Sequence, residues 1–132
     1  MVSNYPIADA LIRIKNAGAV FKKSTRVPNT KIVQAILEVL KSKKWIRDFK
    51  VTADGRQIKV RLRYKKGQYP IPFIQNVRFY SKPGRRWYVK AKEITPVRSG
   101  YGIQIISTSK GLMTSQEAKK AGLGGELICE IW

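Results

Sequence analysis

Three short segments set residue types at spacings that suit chemistry better than scaffold. Ser107-Thr108-Ser109-Lys110-Gly111 places consecutive hydroxyls before a cation and a glycine. Such a run makes a poor core; it serves where short, adaptable donors and acceptors must meet a polar surface. RNA offers that surface in its shallow minor groove, through base edges and 2′-hydroxyls, and Gly111 permits close backbone approach. The plain alternative is a polar strand end leading into the next element. In Ser81-Lys82-Pro83-Gly84-Arg85-Arg86 the Pro-Gly pair makes a turn, and the adjacent Arg85 and Arg86 can fork onto phosphates. Trp87 and Tyr88 follow on a strand and point to opposite faces, so one packs in the core and the other is free to stack on a base or ribose. Gly122-Leu123-Gly124-Gly125-Glu126 permits a tight return into a last strand. Its Glu126 can accept from base amino groups, or simply pair with a surface cation.

Other chemistry is excluded by what the chain lacks. Ser107 and Lys110 spell the Ser-x-x-Lys of acyl-transfer enzymes. That motif should open a helix, whereas Ser107 ends a strand, and the companion Ser-Asp-Asn and Lys-Thr-Gly motifs are absent. With no His there is no Ser-His-Asp triad, Cys-His pair or imidazole metal site. The lone Cys129 rules out an internal disulfide and fits a reducing cytoplasm. Eight carboxylates, without an Asp-rich cluster, offer no magnesium site. No enzyme activity, metal, cofactor or small-molecule substrate is expected.

The 132 residues carry 27 Lys and Arg against 8 Asp and Glu, a net charge of +19. Residues 1–66 hold +13 of this and residues 67–132 hold +6. A domain so positive repels itself unless a polyanion or salt neutralises it, and nucleic acid does so by releasing condensed counterions. An acidic membrane is the competing partner, but no lipidation motif or apolar anchor accompanies the charge. No stretch approaches the ~18 apolar residues of a spanning helix, and no signal peptide is expected.

These segments need elements to position them. Pro6, Asp9 and the stripe Ile7, Leu11 and Ile14 predict a helix over 6–17, closed by Gly18. A strand over 19–28 follows, then a helix from about 30 capped by Asn29, with the stripe Ile32, Val33, Ile36, Leu37 and Leu40. Trp45, Arg47, Phe49 and Val51 alternate with Ile46, Asp48 and Lys50 before an Asp54-Gly55 turn. On the returning strand Ile58, Val60, Leu62 and Tyr64 face one way, and Lys59, Arg61, Arg63 and Lys65 the other. That basic row is either a phosphate track or an ordinary solvated face. Residues 66–72 break both periodicities and suggest a boundary, giving an N-terminal α/β domain over 1–66 and a C-terminal β-rich domain over 67–132. Strands are expected near 74–80, 87–91, 103–107 and 126–131. Thr114-Ser115-Gln116-Glu117 has capping-box spacing for a short helix. The fold class is α+β: an α-β-α-β-β half packed on a mostly antiparallel β half with a short helix.

In order, Ser-Lys-Pro-Gly-Arg-Arg, Ser-Thr-Ser-Lys-Gly and Gly-Gly-Glu, with Trp132 at the end, resemble the bacterial small-subunit ribosomal protein eight family. Pro6-Ile7-Ala8-Asp9, running on to Arg13-Ile14-Lys15-Asn16-Ala17, is similar to that family's first helix, and the amphipathic helix after Val27-Pro28 also fits. The resemblance implies a primary binder of the 16S rRNA central domain that acts early in subunit assembly. It would lie in the cytoplasm on the ribosome, beside other small-subunit ribosomal proteins. It assigns base and sugar contacts in an irregular stem to Ser107, Thr108 and Ser109, a contact role to Tyr88, packing to Trp87, and function to Glu126. Lys82, Arg85, Arg86, Lys110, Gly111 and Gly124 complete the C-terminal set. Lys15, Asn16 and Lys31 are candidates for a further RNA surface. Many members also repress their own operon through an mRNA stem that imitates the rRNA site, so operon mRNA is a further candidate partner. A nonspecific RNA chaperone is the alternative function. Two positions depart from the family pattern: Tyr5 stands where Asp is common, removing a helix cap, and Trp87 where an aliphatic is common.

Overall fold

A computed structural model describes residues 5–95 and 102–132. The chain forms two compact units, Met1–Asn76 and Val77–Trp132, and is α+β throughout.

The first unit opens with α1 (Pro6–Ala19), whose Tyr5 cap position supplies no side-chain hydrogen bond. Pro6 in the first turn and the Asp9–Arg13 pair (2.8 Å) favour this start instead. The helix runs past Gly18, which is buried inside it rather than closing it. A Cβ there would lie 3.0 Å from the Pro72 Cβ, so Gly18 serves close approach. Phe21 then adopts the left-handed conformation (φ 60°). The strand expected from residue 19 therefore begins later, as β1 (Ser24–Pro28).

Thr30, not Asn29, caps α2 (Lys31–Ser42): its hydroxyl accepts from the Val33 amide at 3.2 Å. Asn29 instead donates to the Gly55 carbonyl (2.7 Å) and accepts from Gln34 (2.6 Å), tying the helix start to the hairpin turn. That hairpin joins β2 (Ile46–Val51) to β3 (Gln57–Leu62), and the sheet order is β1-β3-β2, all antiparallel. Ile58, Val60 and Leu62 are buried while Lys59 and Arg61 are exposed, as the alternation predicts. On β2 the alternation breaks. The register shifts between Ile46 and Asp48, so Ile46 pairs Leu62 and Phe49 pairs Val60. The extra residue, Arg47, is exposed, and Ile46 rather than Trp45 is buried. A two-residue ladder, β4 (Tyr64–Lys65) with β5 (Ile71–Pro72), holds the loop between them in this unit.

In the second unit, β6 (Val77–Phe79), β10 (Gly125–Ile131), β8 (Ile103–Thr108) and β9 (Gly111–Thr114) lie in that order. β7 (Tyr88–Val89) joins the same side of β10 as β6, further along: β6 pairs residues 129–131 and β7 pairs 125–126. The two strands expected near 74–80 and 87–91 are thus shorter, two pieces of one edge with a turn between them. β9 has no counterpart among the expected strands. Thr114 caps α3 (Ser115–Lys120) in the expected capping box. Ile94, Ile106 and Ala118 form a buried cluster, with Val89, Met113 and Leu123 packed against it. No described helix is long and apolar enough to cross a membrane.

Candidate nucleic-acid interface

The antiparallel register decides which side chains share a face. Ser107 pairs with Glu126 on β10, Glu126 pairs with Tyr88 on β7, and Leu112 on β9 pairs with Ser107. Directly opposed residues project to the same side of a sheet. Leu112, Ser107, Glu126 and Tyr88 therefore form one row across four strands, and Tyr88 is 70% exposed.

Two turns flank this row. Thr108 folds its own turn: its hydroxyl donates to the Gly111 carbonyl (2.9 Å) and accepts from the Lys110 amide (3.1 Å). Ser109 and Lys110 are left exposed at the tip, and Gly111 takes a positive φ of 106° that a side chain would strain. The basic turn leaves the edge of β10 between β6 and β7 and closes by paired bonds between Lys82 and Arg85 (2.8 and 2.9 Å). Ser81, fully buried, pins its base by donating to the Leu127 carbonyl (2.8 Å) and accepting from the Trp87 amide (2.9 Å). Lys82, Arg85 and Arg86 are exposed on it.

Glu126 meets Arg86 at 3.3 Å, which orients the guanidinium while the pair stays partly open to water. In that setting the pair adds at most about 1 kcal/mol of stability. Neither aromatic is core. Trp87 is 40% exposed, edge-on to Tyr80 (5.8 Å) with Arg85 over its ring (5.5 Å). The packing assigned to Trp87 is thus a half-open stack beside the first residue of β7.

Gly124 and Gly125 let this construction close. A Cβ on Gly125 would sit 2.1 Å from the Ser107 carbonyl oxygen, and one on Gly124 2.6 Å from that of Val89. Ser81 and Gly125 fall inside two of the three segments but carry no assigned role there, because what fixes them, the Leu127 and Ser107 carbonyls, is set by strand pairing rather than by local spacing. In the other unit, Lys15 is half-buried and Asn16 exposed on α1, and Lys31 is exposed at the first position of α2. Among the described residues no cluster of three His, Cys, Asp or Glu side chains could hold a metal.

The pattern matches one family along nearly its whole length: residues 5–132 fit the ribosomal protein S8 model. The chain belongs to the ribosomal protein S8 family. Similar relatives include small ribosomal subunit protein uS8 of Desulforudis audaxviator, 47% identical over 96% of this chain and 97% of the relative. That of Thermus thermophilus is 48% identical over the same shares, and that of Desulforamulus reducens 42% identical over the whole of both chains. As an S8-family chain it is a ribosomal protein, and its Ser-Thr-Ser-Lys-Gly hairpin, basic turn and Gly-Gly-Glu strand lie in the second unit.

Proposed function

We propose that this chain is a structural, non-catalytic component of the small ribosomal subunit that binds the 16S rRNA central domain and helps assemble it. The carrying observation is the register-aligned row of Ser107, Glu126 and Tyr88 between the hydroxyl turn and the basic turn. Lys82, Arg85, Arg86 and Lys110 supply affinity and orientation through phosphates, without reading sequence. Ser107, Ser109 and Glu126 read an irregular stem through short hydrogen bonds, with Tyr88 against a sugar or base. Thr108 acts by holding the turn. An operon mRNA stem of the same shape would use the same face, and neighbouring small-subunit proteins would complete the setting.

The test is affinity for an isolated central-domain stem and for a regularised duplex of equal length, at two salt concentrations. A preference that survives the higher salt is expected. Ser109→Ala should weaken the stem roughly three- to tenfold, the value of one hydrogen bond, and leave the duplex unchanged. Equal binding that collapses with salt would reduce the protein to a nonspecific RNA chaperone.

A further inference from the structure

The two arginines of the basic turn are held in different ways. Arg86 gives a guanidinium nitrogen to Glu126 at 3.3 Å, on the face that carries Ser107 and Tyr88. Arg85 meets no carboxylate among the described residues. Its guanidinium carbon lies 5.5 Å from the centre of the Trp87 ring instead, within the reach of cation–π attraction. Trp87 precedes Tyr88 along the edge, and its carbonyl accepts from the Leu127 amide (2.8 Å). It therefore continues the ladder and turns its ring to the opposite face. The turn sends Arg86 to one face and Arg85 to the other.

The ring under Arg85 is itself fixed. Besides the carbonyl bond, the Trp87 amide donates to the buried Ser81 hydroxyl (2.9 Å). The indole packs edge-on against Tyr80 (5.8 Å, 67° between planes), and Tyr80 carries Arg78 over its own ring at 5.0 Å. The Tyr80 amide donates to the Ile128 carbonyl (3.0 Å), so both rings stand on backbone tied to β10. Arg78, Tyr80, Trp87 and Arg85 make a cation-ring-ring-cation stack. Such a stack differs chemically from a salt bridge. A carboxylate occupies N–H donors and offsets charge, as Glu126 does for Arg86. An aromatic face attracts the cation and takes none of its five N–H donors. Arg85 is thus held in place with its full charge and its donors still available.

We propose that Trp87 is a positioning residue for RNA binding: its ring preorganises Arg85 for a phosphate, so less side-chain ordering remains when RNA arrives. The proposal rests on the reading of the basic turn as a phosphate contact, and names how that contact is prepared.

The experiment is a double-mutant cycle on the full chain, with the central-domain stem as ligand over a salt series. Trp87→Leu removes the ring, keeps an apolar side chain, and should weaken the stem about two- to fivefold. In an Arg85→Gln background the same substitution should cost less than about 1.5-fold. Trp87→Phe keeps a ring and should also lose less than about 1.5-fold. Arg85→Gln should flatten log K against log salt by about 0.7–0.9, one phosphate's worth. Equal losses from Trp87→Leu in the two backgrounds would overturn the proposal alone, since the ring would then act through packing. If Arg85→Gln left the salt slope unchanged, Arg85 would meet no phosphate, and the reading beneath would fall together with the proposal. The free chain supplies a readout independent of RNA. The ring current of Trp87 should shift the Arg85 Nε–H proton upfield in nuclear magnetic resonance spectra, and Trp87→Leu should return it to its ordinary position. An unshifted proton in the parent chain would equally refute the arrangement.

Discussion

At the scale of single residues, the two glycines before Glu126 carry more than a turn's worth of constraint. Gly125 lies against backbone: the Ser107 carbonyl oxygen is 2.1 Å from where a Cβ would be, and the Thr108 Cα 3.2 Å. Neither neighbour can swing away as a side chain would, so Gly125→Ala must push β10 from β8. A cost of about 2–3 kcal/mol is expected in urea unfolding, with weakened stem binding because Ser107 and Glu126 separate. Gly84 has nothing within 4 Å and no positive φ, so Gly84→Ala should change stability by less than about 0.5 kcal/mol. Cys129 gives a different test on the same strand. Burial pushes its thiol up from 9.0 to about 12, so the folded chain holds the proton that the unfolded chain releases. Stability from this group is complete below about pH 9 and falls as pH rises from 9 toward 12. The stability difference between the parent chain and Cys129→Ala should therefore shrink over that window, and a thiol reagent at pH 8 should label Cys129 only after denaturant is added. Residue types and spacing make Ser109, Arg85 and Arg86 legible as candidates. Thr108's inward hydroxyl and the Arg86–Glu126 pair depend on turn geometry and on an approach across 40 residues, which no local spacing encodes.

At the scale of elements, local logic is readable and non-local logic is not. The capping box at Thr114 lies within four residues, and α3 forms as its spacing predicts: the hydroxyl accepts from the Glu117 amide (3.3 Å) and the Glu117 carboxylate accepts from the Thr114 amide (3.1 Å). A six-residue helix is far below the length that holds in isolation. Its cap and the burial of Ala118 beside Ile106 keep it in place. Thr114→Ala should cost about 1–2 kcal/mol in urea unfolding, and Thr114→Ser much less. Amide exchange at Ala118 should accelerate in the alanine variant alone if the cap, not the buried methyl, is responsible. By contrast, Gly18 looks like a helix end because its reason for being glycine, Pro72, is 54 positions away. The bulge at Arg47 escapes the alternation for a similar reason: β3 sets it, through the pairing of Ile46 with Leu62. β6 and β7 read as independent strands because their common partner, β10, comes last in the chain.

At the scale of the whole molecule, charge and structure are divided unequally: the first unit holds +13 and the second +6. The pairs Asp9–Arg13, Asp48–Arg61 and Arg86–Glu126 lie at the surface and neutralise only a small share of that charge. Salt therefore acts on two opposing quantities. It weakens the few attractive pairs, each worth about 0–1 kcal/mol, and it screens repulsion among the many unpaired cations. The Debye length falls from about 30 Å at 0.01 M to about 10 Å at 0.1 M, so repulsion across a unit is removed before contacts at about 3 Å are affected. Repulsion should win, and the melting temperature of the free chain should rise by about 3–6 °C between 0.01 and 0.3 M sodium chloride, equivalent to about 1–2 kcal/mol. RNA affinity must move the opposite way over the same range, because salt competes with the counterion release that drives binding. The two measurements on one preparation separate the readings. A rising melting temperature with falling affinity means the cations are spaced for a polyanion and tolerated at a cost when it is absent. A flat or falling melting temperature would mean that the paired carboxylates govern stability, and that repulsion among the charges behind the +19 is not what salt relieves.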